Sequence, residues 1–220
     1  MIIGVTGGIA SGKSRVSSFL ACRGAFVIDV DQVARELVEP GGPVLEAVIR
    51  EFGSEFRRDD GTLDRRALGR LVFSDPDALA RLNGIMFPRL LEATGEQVRE
   101  AAREHPLVVV DAAVLYEAGL DALVDCVICV TAGEATRVER IVARNGLSRE
   151  EALDRARAQG DLEEQARRAD FVVDNSGAPE DAVRQVERIL GQLDPYLRRA
   201  RPGGKPCAGA PRGAGSPTCE

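Results

Sequence analysis

A glycine-rich loop between a predicted strand and a predicted helix constrains the fold of this chain more than any other feature. Residues 7–14 read GGIASGKS and match the pattern GxxxxGK[ST] in full. An apolar run over residues 2–6 precedes the loop, and a helical pattern over residues 14–22 follows it. Strand, loop and helix in this order are the setting in which such a loop binds phosphate groups. The sequence therefore predicts an α/β protein that binds a nucleotide.

Each position of the loop has a predicted task. Glycines let the backbone curl so that consecutive N–H groups point at phosphates, and the helix that follows adds its positive dipole end. The Lys13 ammonium is expected to neutralise β- and γ-phosphate oxygens during catalysis, and the Ser14 hydroxyl to coordinate Mg²⁺. ATP and Mg²⁺ are the predicted cofactors. The predicted nucleotide contacts in the loop are Gly8, Ile9, Ala10, Ser11, Gly12, Lys13 and Ser14.

Five short apolar segments predict a sheet. They are nearly continuous in apolar residues, which is typical of parallel strands that are covered on both faces. Helical patterns alternate with them, so we expect right-handed crossovers and a five-stranded parallel sheet sandwiched by helices. The predicted strands are residues 2–6, 25–29, 107–111, 126–131 and 171–174. The CxxC pair Cys126 and Cys129 falls in the fourth of them and is predicted to be buried and structural.

Two stretches exceed what this alternation needs. Residues 32–94 contain four helical patterns (32–38, 43–52, 64–73 and 77–92), and we predict a helical insertion that binds substrate, followed by a separate helix over 95–104. Residues 138–169 are dense in charge and predict a helical lid. The core is then assigned to residues 1–31, 95–137 and 170–197. Residues 198–220 are rich in Pro, Gly and Ala and are predicted to be disordered.

Composition and charge exclude several classes of protein. No apolar run has the length of a transmembrane helix, and the first residues lack the charged region of a signal peptide, so a cytoplasmic protein without membrane contact is expected. The net charge of −6 argues against a general affinity for nucleic acid. A monomer is expected.

The lysine content separates two classes of nucleotide-binding protein. Guanine-specific switches use an Asn-Lys-x-Asp element, and this chain has no lysine between Lys13 and Lys205. A small-molecule kinase is the better interpretation, because an insertion can hold the acceptor and a lid can exclude water from the reaction.

Acidic residues follow the second and third predicted strands, at the edge where ligands of open α/β sheets collect. If the segment is extended, Asp29 and Asp31 point the same way, and one can take the proton of an attacking hydroxyl. The alternative is that one of them caps the next helix. Asp111, with Glu117 just beyond it, is expected to hold Mg²⁺ through water or to position substrate. Its alternative role is a turn or helix cap.

Taken together, these motifs resemble the dephospho-CoA kinase family. Residues 6–14 read TGGIASGKS where the family has TGGIGSGKS. The resemblance covers about residues 1–190, in order and at compatible spacing. Its other elements are Asp29-Val30-Asp31, Ala34-Arg35, VEPG at 38–41, DGTLDR at 60–65, Asp111 with Leu115-Tyr116-Glu117, Arg144, Gln159 and DNSG at 174–177.

The resemblance implies an adenylate-kinase-like core of the phosphate-loop class. It also implies transfer of the ATP γ-phosphoryl group to the ribose 3′-hydroxyl of dephospho-CoA, in the synthesis of coenzyme A. Asp31 would be the general base and Arg144 the lid arginine that meets ATP phosphates. Asn175 is a further expected nucleotide contact. The expected substrate contacts are Asp29, Asp31, Arg35, Asp111, Glu117 and Gln159.

Two positions depart from the family pattern. Phe87-Pro88 stands where the family usually has His-Pro, and Ala113 replaces the proline of its PLLFE element. Two other functions stay open at this point. One is a nucleoside or nucleotide kinase of the same architecture, and the other is a nucleotide-binding regulator that transfers no group.

Overall fold

The computed structural model describes residues 1–158 and 162–199, and these contain one five-stranded sheet. All strands are parallel, and their order across the sheet is β2-β3-β1-β4-β5. The prediction of a five-stranded parallel sheet flanked by helices is confirmed. The strands are β1 (Ile2–Thr6), β2 (Phe26–Asp29), β3 (Val108–Asp111), β4 (Cys126–Thr131) and β5 (Phe171–Asp174).

Helices separate the strands and cover the sheet. They are α1 (Lys13–Cys22), α2 (Val30–Glu36), α3 (Pro43–Phe52), α4 (Arg65–Ser74), α5 (Pro76–Glu104), α6 (Glu134–Asn145), α7 (Arg149–Ala158), α8 (Leu162–Arg168) and α9 (Pro179–Arg199). Short 3₁₀ turns lie at Ser54–Phe56 and Leu120–Leu123.

Alternate residues of the strands feed two apolar layers, one on each face of the sheet. Val109 of β3 packs in the layer that includes Leu20 of α1 and Val186 of α9. Its neighbour Val110 packs in the opposite layer, which includes Val98 of α5. This two-sided burial explains why β1, β3 and β4 lack a polar face in the sequence.

The edge strands are less buried than their sequences predict. Phe26 of β2 is 43% exposed and Val172 of β5 is 46% exposed. Each edge strand has a neighbour on one side only, so part of its surface stays open. The Phe26 ring is stacked on His105, with ring centroids 4.7 Å apart.

Helix α5 corrects the prediction of two separate helices over 77–92 and 95–104. It is one helix of 29 residues with Pro88 inside it. Its first turn is capped by the Asp75 carboxylate, which accepts from the N–H groups of Asp77 (2.9 Å) and Ala78 (3.1 Å). The prediction was wrong because a long packed face outweighs the local cost of Pro88 and two glycines inside the helix.

The two ends of α5 pack in different apolar clusters. Ala78 joins the cluster of the helical insertion, which includes Leu45 of α3 and Leu68 of α4. Val98 belongs to the layer on the sheet. The domain boundary expected after residue 94 therefore falls inside a helix, and the division of the chain into core and insertion stays a prediction.

The region predicted to form a lid, residues 138–169, has a small apolar cluster of its own. Ile141 of α6 and Ala152 of α7 are fully buried in it. Ile9 and Ala10 of the phosphate loop pack against this cluster, so the base of the lid contacts the loop directly.

The CxxC pair lies in β4, as predicted, and both cysteines carry free thiols. Burial raises the pKa of each thiol to about 11, so both stay protonated near neutral pH and are poor nucleophiles or metal ligands. Among the helices of the described ranges, none has the length and apolar character needed to cross a membrane. The tail predicted to be disordered spans residues 198–220. The prediction was wrong for its first two residues, because α9 continues to Arg199, and residues 200–220 fall outside the described ranges.

The continuity of α5 predicts the effect of substituting its second glycine. A Cβ atom at Gly95 would meet Leu123 and Arg99 at 3.5 Å, which is ordinary contact. Because alanine is favoured over glycine inside a helix, Gly95→Ala should raise the free energy of unfolding by about 1 kcal/mol in urea denaturation. Gly84→Ala, at an open site of the same helix, is the matched control with the same expected sign. A lower free energy for Gly95→Ala alone would contradict an unbroken helix at this point.

Candidate active site

The phosphate loop follows β1 and is shaped by glycines at both ends. Gly7 has φ 152° and Gly12 has φ 93°, in the region that favours glycine. A Cβ atom at Gly7 would collide with the Val130 carbonyl oxygen, and one at Gly12 with the Asn175 amide. The backbone of the loop therefore approaches β4 and the segment after β5 more closely than any side chain would allow.

Three carbonyl oxygens of the loop accept hydrogen bonds from other groups of the protein. Ser11 N–H donates to the Gly8 oxygen at 3.0 Å. Arg140 Nη1 lies 3.2 Å from the Ala10 oxygen and 3.3 Å from the Ser11 oxygen. Asn175 Nδ2 donates to the Ser11 oxygen at 2.7 Å. These three oxygens thus have donors within the protein, and the backbone N–H groups of such a loop are the groups that bind phosphate.

Arg140 is the residue of this site that the sequence analysis missed. Besides its bonds to the loop, its Nη2 donates to the Asn175 carbonyl oxygen at 2.8 Å. It thereby joins α6, the loop and the segment after β5. No pattern in the sequence distinguishes it from the other arginines of the lid. Its planar fork suits the task, because it presents several donors in fixed directions.

Asn175 lies behind the loop and is buried, with 2% of its surface exposed. Its amide nitrogen is occupied by Ser11 and its backbone oxygen by Arg140. In this structure it braces the loop, and its predicted direct contact with nucleotide stays a prediction.

Ala10 has an unusual backbone conformation. Among the residues described it is the one non-glycine residue with positive φ, at 59°. The left-handed region costs an alanine about 1–2 kcal/mol. The Arg140 bond to its carbonyl oxygen helps to hold this conformation, so the loop tolerates alanine where TGGIGSGKS has glycine.

A cavity of about 400 Å³ opens on the concave side of the loop. Its volume is in the range of small-molecule sites. Its wall combines loop backbone, one carboxylate and cationic side chains from α1 and α6. The lining residues are Gly7, Gly8, Ile9, Ala10, Gly12, Lys13, Ser14, Asp31, Ala113, Arg140 and Arg144. All three predicted catalytic residues, Asp31, Lys13 and Arg144, thus line one cavity together with most of the predicted nucleotide contacts.

Lys13 forms an ion pair with Asp111 in which both side chains are mostly buried, 15% and 12% exposed. Asp111 ends β3 and is paired in register with Val5, just before the loop, and with Asp29 at the end of β2. The carboxylate therefore holds the ammonium at the mouth of the loop. The predicted roles of Asp111 toward Mg²⁺ or substrate stay predictions.

Asp29 and Asp31 do not share an extended segment, and that expectation was wrong. Helix α2 begins at Val30. The Asp29 carboxylate caps it by accepting from the N–H groups of Asp31 (2.9 Å) and Gln32 (3.2 Å). The capping alternative therefore applies to Asp29. Asp31, in the first turn, is exposed and lines the cavity.

Two of the remaining predicted site residues, Arg35 and Glu117, are described by the structure and do not line the cavity. Arg35 lies one turn after Asp31 on α2. Glu117 is exposed and accepts from Gln165 Nε2 of α8 at 3.2 Å. Gln159 lies outside the described residues. The predicted substrate contacts of Asp29, Arg35, Glu117 and Gln159 stay predictions.

The two departures from the family pattern have different surroundings. Ala113 lines the cavity beside the loop. Phe87 packs against the apolar layer between α5 and the sheet. Phe87 is thus part of the hydrophobic packing, and its surroundings do not call for a polar side chain.

Comparison with known protein families and sequences gives a consistent match. The family model described as "Dephospho-CoA kinase" matches residues 1–181. A dephospho-CoA kinase of Anaeromyxobacter dehalogenans is 47% identical over 206 residues, which is 93% of this chain and 98% of the relative. One of Symbiobacterium thermophilum is 46% identical over 220 residues, 98% of this chain and 89% of the relative.

Solved structures give a similar result. The protein TT1252 from Thermus thermophilus has a TM-score of 0.72 and 39% identity, covering 88% of this chain and 97% of its own. A dephospho-CoA kinase from Campylobacter jejuni has a TM-score of 0.66 and 25% identity, and the match covers 89% of this chain and 98% of that protein's chain.

The hydrogen bonds from Arg140 to the loop predict how a side chain with fewer donors would change the affinity for ATP. Arg140→Lys keeps the charge but cannot bridge the Ala10, Ser11 and Asn175 oxygens at once. Because hydrogen bonds from charged groups contribute about 1.5–3 kcal/mol and 1.4 kcal/mol is tenfold in affinity, the variant should bind ATP about tenfold more weakly in calorimetric titration.

Arg149→Lys is the control for that experiment, since Arg149 is an exposed arginine on α7 and does not line the cavity. Its affinity for ATP should stay at the wild-type value. Wild-type affinity in Arg140→Lys would show that the loop does not need this brace.

Proposed function

The chain belongs to the dephospho-CoA kinase family, and from that premise we propose that it transfers the γ-phosphoryl group of ATP to the ribose 3′-hydroxyl of dephospho-CoA at the phosphate-loop cavity. The products are ADP and coenzyme A. One observation carries the site assignment: Asp31, an exposed carboxylate, lines the same cavity as Lys13 and Arg144. A proton acceptor and phosphate-binding cations thus face one space.

Asp31 is the proposed general base. Its carboxylate accepts the proton of the 3′-hydroxyl as that oxygen forms a bond to the γ-phosphorus. The bond between the γ-phosphorus and the β–γ bridging oxygen breaks, and its electron pair leaves with ADP. A base for this step must reach the hydroxyl directly or through one water. The position of Asp31 in the first turn of α2, at the edge of the cavity, supports that role.

Cationic side chains act on the phosphates. Lys13 and Arg144 border the cavity from opposite elements, α1 and α6. In phosphoryl transfer, catalysis comes mainly from positioning and from stabilising charge on the phosphoryl oxygens. Arginine suits the lid side, because its fork can bind two oxygens at once. Lys13 must exchange its Asp111 partner for phosphate oxygens when ATP binds.

The residues present also fit Mg²⁺. The Ser14 hydroxyl lines the cavity and the Asp111 carboxylate lies against Lys13, and both offer the hard oxygen ligands that Mg²⁺ prefers. Within residues 1–158 and 162–199, no group of three or more His, Cys, Asp or Glu side chains could hold a metal by itself. Ser14, with Asp111 through water, would hold the ion together with ATP phosphates. When bound, Mg²⁺ supplies positive charge to those phosphates.

The helical insertion is the proposed lobe for dephospho-CoA. Helix α2 leads from the cavity at Asp31 into the insertion, and its end packs with the cluster of α3 and α4 through Leu37. This supports an acceptor that enters from the insertion while ATP occupies the loop. The expected monomer and the expected cytoplasmic location stay predictions.

An acceptor assay tests the proposed reaction. ADP release should be fastest with dephospho-CoA and slower by at least about a hundredfold in kcat/KM with nucleoside monophosphates, because only dephospho-CoA can use the contacts of the insertion. A nucleoside or nucleotide kinase would prefer another acceptor. A nucleotide-binding regulator would bind ATP and phosphorylate none of them.

Removing the proposed base gives a second test. Asp31→Asn keeps the shape of the side chain but cannot accept the proton, so kcat should fall by at least roughly a hundredfold while ATP affinity stays close to that of the wild type. Glu36→Gln, a neutralised carboxylate in the last turn of the same helix, should keep its kcat. An Asp31→Asn protein with nearly full kcat would remove Asp31 from the base role.

A further inference from the structure

Two arginines meet where α2 ends and α4 begins. Arg65, the first residue of α4, donates through Nη2 to the backbone oxygen of Arg35 at 2.9 Å. Within residues 1–158 and 162–199, the Arg35 guanidinium donates only to the Gln32 amide oxygen, at 3.5 Å. Because an arginine has five N–H donors, most donors of this pair are left for another partner.

Neither arginine is neutralised by a carboxylate in the part of the chain that the structure describes. Other arginines of the insertion are paired: Arg57 with Glu46 at 2.7 Å, and Arg58 with Asp64 at 3.3 Å. Partial burial and, second, the charge of Arg35 lower the pKa of Arg65 from its ordinary value. An anion bound beside Arg65 would oppose this effect, because an opposite charge favours the charged form of an arginine.

The carboxylates near the pair are mostly committed elsewhere. Asp64 caps α4 by accepting from Arg66 N–H (3.1 Å) and Ala67 N–H (2.9 Å), and it also bonds Arg58. Glu36 bonds Gln32 at 3.0 Å. Glu39 is exposed and borders the same hollow as Arg65 without an ion pair to it.

The pair lies in line with the proposed base. Asp31 and Arg35 are four residues apart on α2, so they lie on the same side of the helix, about one 5.4 Å turn apart. Asp31 borders the phosphate-loop cavity. Arg65 borders a second hollow of about 230 Å³ beyond α2, lined by Val38, Glu39, Pro40, Arg58, Thr62, Leu63 and Arg65. A ligand that extends from Asp31 along α2 therefore reaches first Arg35 and then Arg65.

We propose that Arg65, together with Arg35, forms the binding site for the diphosphate group of the acceptor. This inference rests on the proposed function, because it takes the acceptor to be dephospho-CoA. The diphosphate is attached to the 5′ side of the ribose whose 3′-hydroxyl reacts. If that hydroxyl lies at Asp31, the diphosphate can lie about one helical turn further along α2, beside Arg35. Guanidinium groups match phosphate oxygens in geometry and charge.

Arg65→Gln tests the site. The variant should raise the KM for dephospho-CoA roughly 10- to 100-fold, the scale of a lost charge-assisted hydrogen bond in a binding site. The KM for ATP and the kcat at saturating dephospho-CoA should change less than about twofold, because chemistry and nucleotide binding occur elsewhere. Arg65→Lys, which keeps the charge but not the fork, should fall between the wild type and Arg65→Gln.

Arg66→Gln is the matched control. Arg66 is the next residue of α4, is exposed, and does not line either cavity. Its KM values should equal those of the wild type. Thermal denaturation of all variants reports whether the lost bond to the Arg35 oxygen changes the fold.

The outcomes separate this site from the proposed function. An unchanged KM for dephospho-CoA in Arg65→Gln, with the wild type still phosphorylating dephospho-CoA, overturns the anion site alone. An equal loss of affinity for ATP and for dephospho-CoA also overturns it, because Arg65 would then act only through the stability of α2. A wild-type protein that does not phosphorylate dephospho-CoA overturns the proposed function itself.

Discussion

The hydrogen bonds that distant parts of the chain donate to the phosphate-loop carbonyl oxygens are the constraint on which the rest of the site depends. A buried backbone oxygen needs a donor, and a loop that turns its N–H groups inward must find donors for its oxygens outside. Asn175 supplies one from 164 residues away in sequence, and Arg140 supplies two from the lid. The first loop of the chain therefore takes its binding shape only when the last strand and the lid helix are in place.

In the Lys13–Asp111 pair, each charged side chain depends on the other for neutralisation. Both side chains are mostly buried, and removing one partner of a buried pair leaves a charge that is costly to keep. The Lys13 ammonium keeps an anionic partner when it turns to ATP phosphates, since the phosphate oxygens take the place of the Asp111 carboxylate. Asp111 then needs a new cation, and the proposed Mg²⁺ would meet that need. The pair thus accounts for why nucleotide and metal ion are expected to bind together.

Features set by local patterns were predictable from the sequence. Strands β1, β4 and β5 have the predicted bounds, and the loop follows β1 as its motif requires. Features set by distant contacts were not. Pro88 and Gly95 suggested a break that the packing of α5 on two clusters overrides. Arg140 is one arginine among many in the predicted lid region, and what marks it as part of the site is its three carbonyl partners, each at least 35 residues away from it in sequence.

Helix α2 carries both the proposed base, Asp31, and one residue of the proposed anion site, Arg35. The Asp29 cap fixes where the helix starts, which sets Asp31 in the first turn at the loop cavity. The helix then carries Arg35 in its last turn, where the bond from Arg65 ties it to α4. The backbone positions of the proposed base, Asp31, and of Arg35 in the proposed anion site are therefore set by hydrogen bonds within one helix. An acceptor that has a hydroxyl and an anionic group on opposite sides of a ribose can use both ends at once. A nucleoside without the anion can use only one, which gives a physical basis for selecting the acceptor.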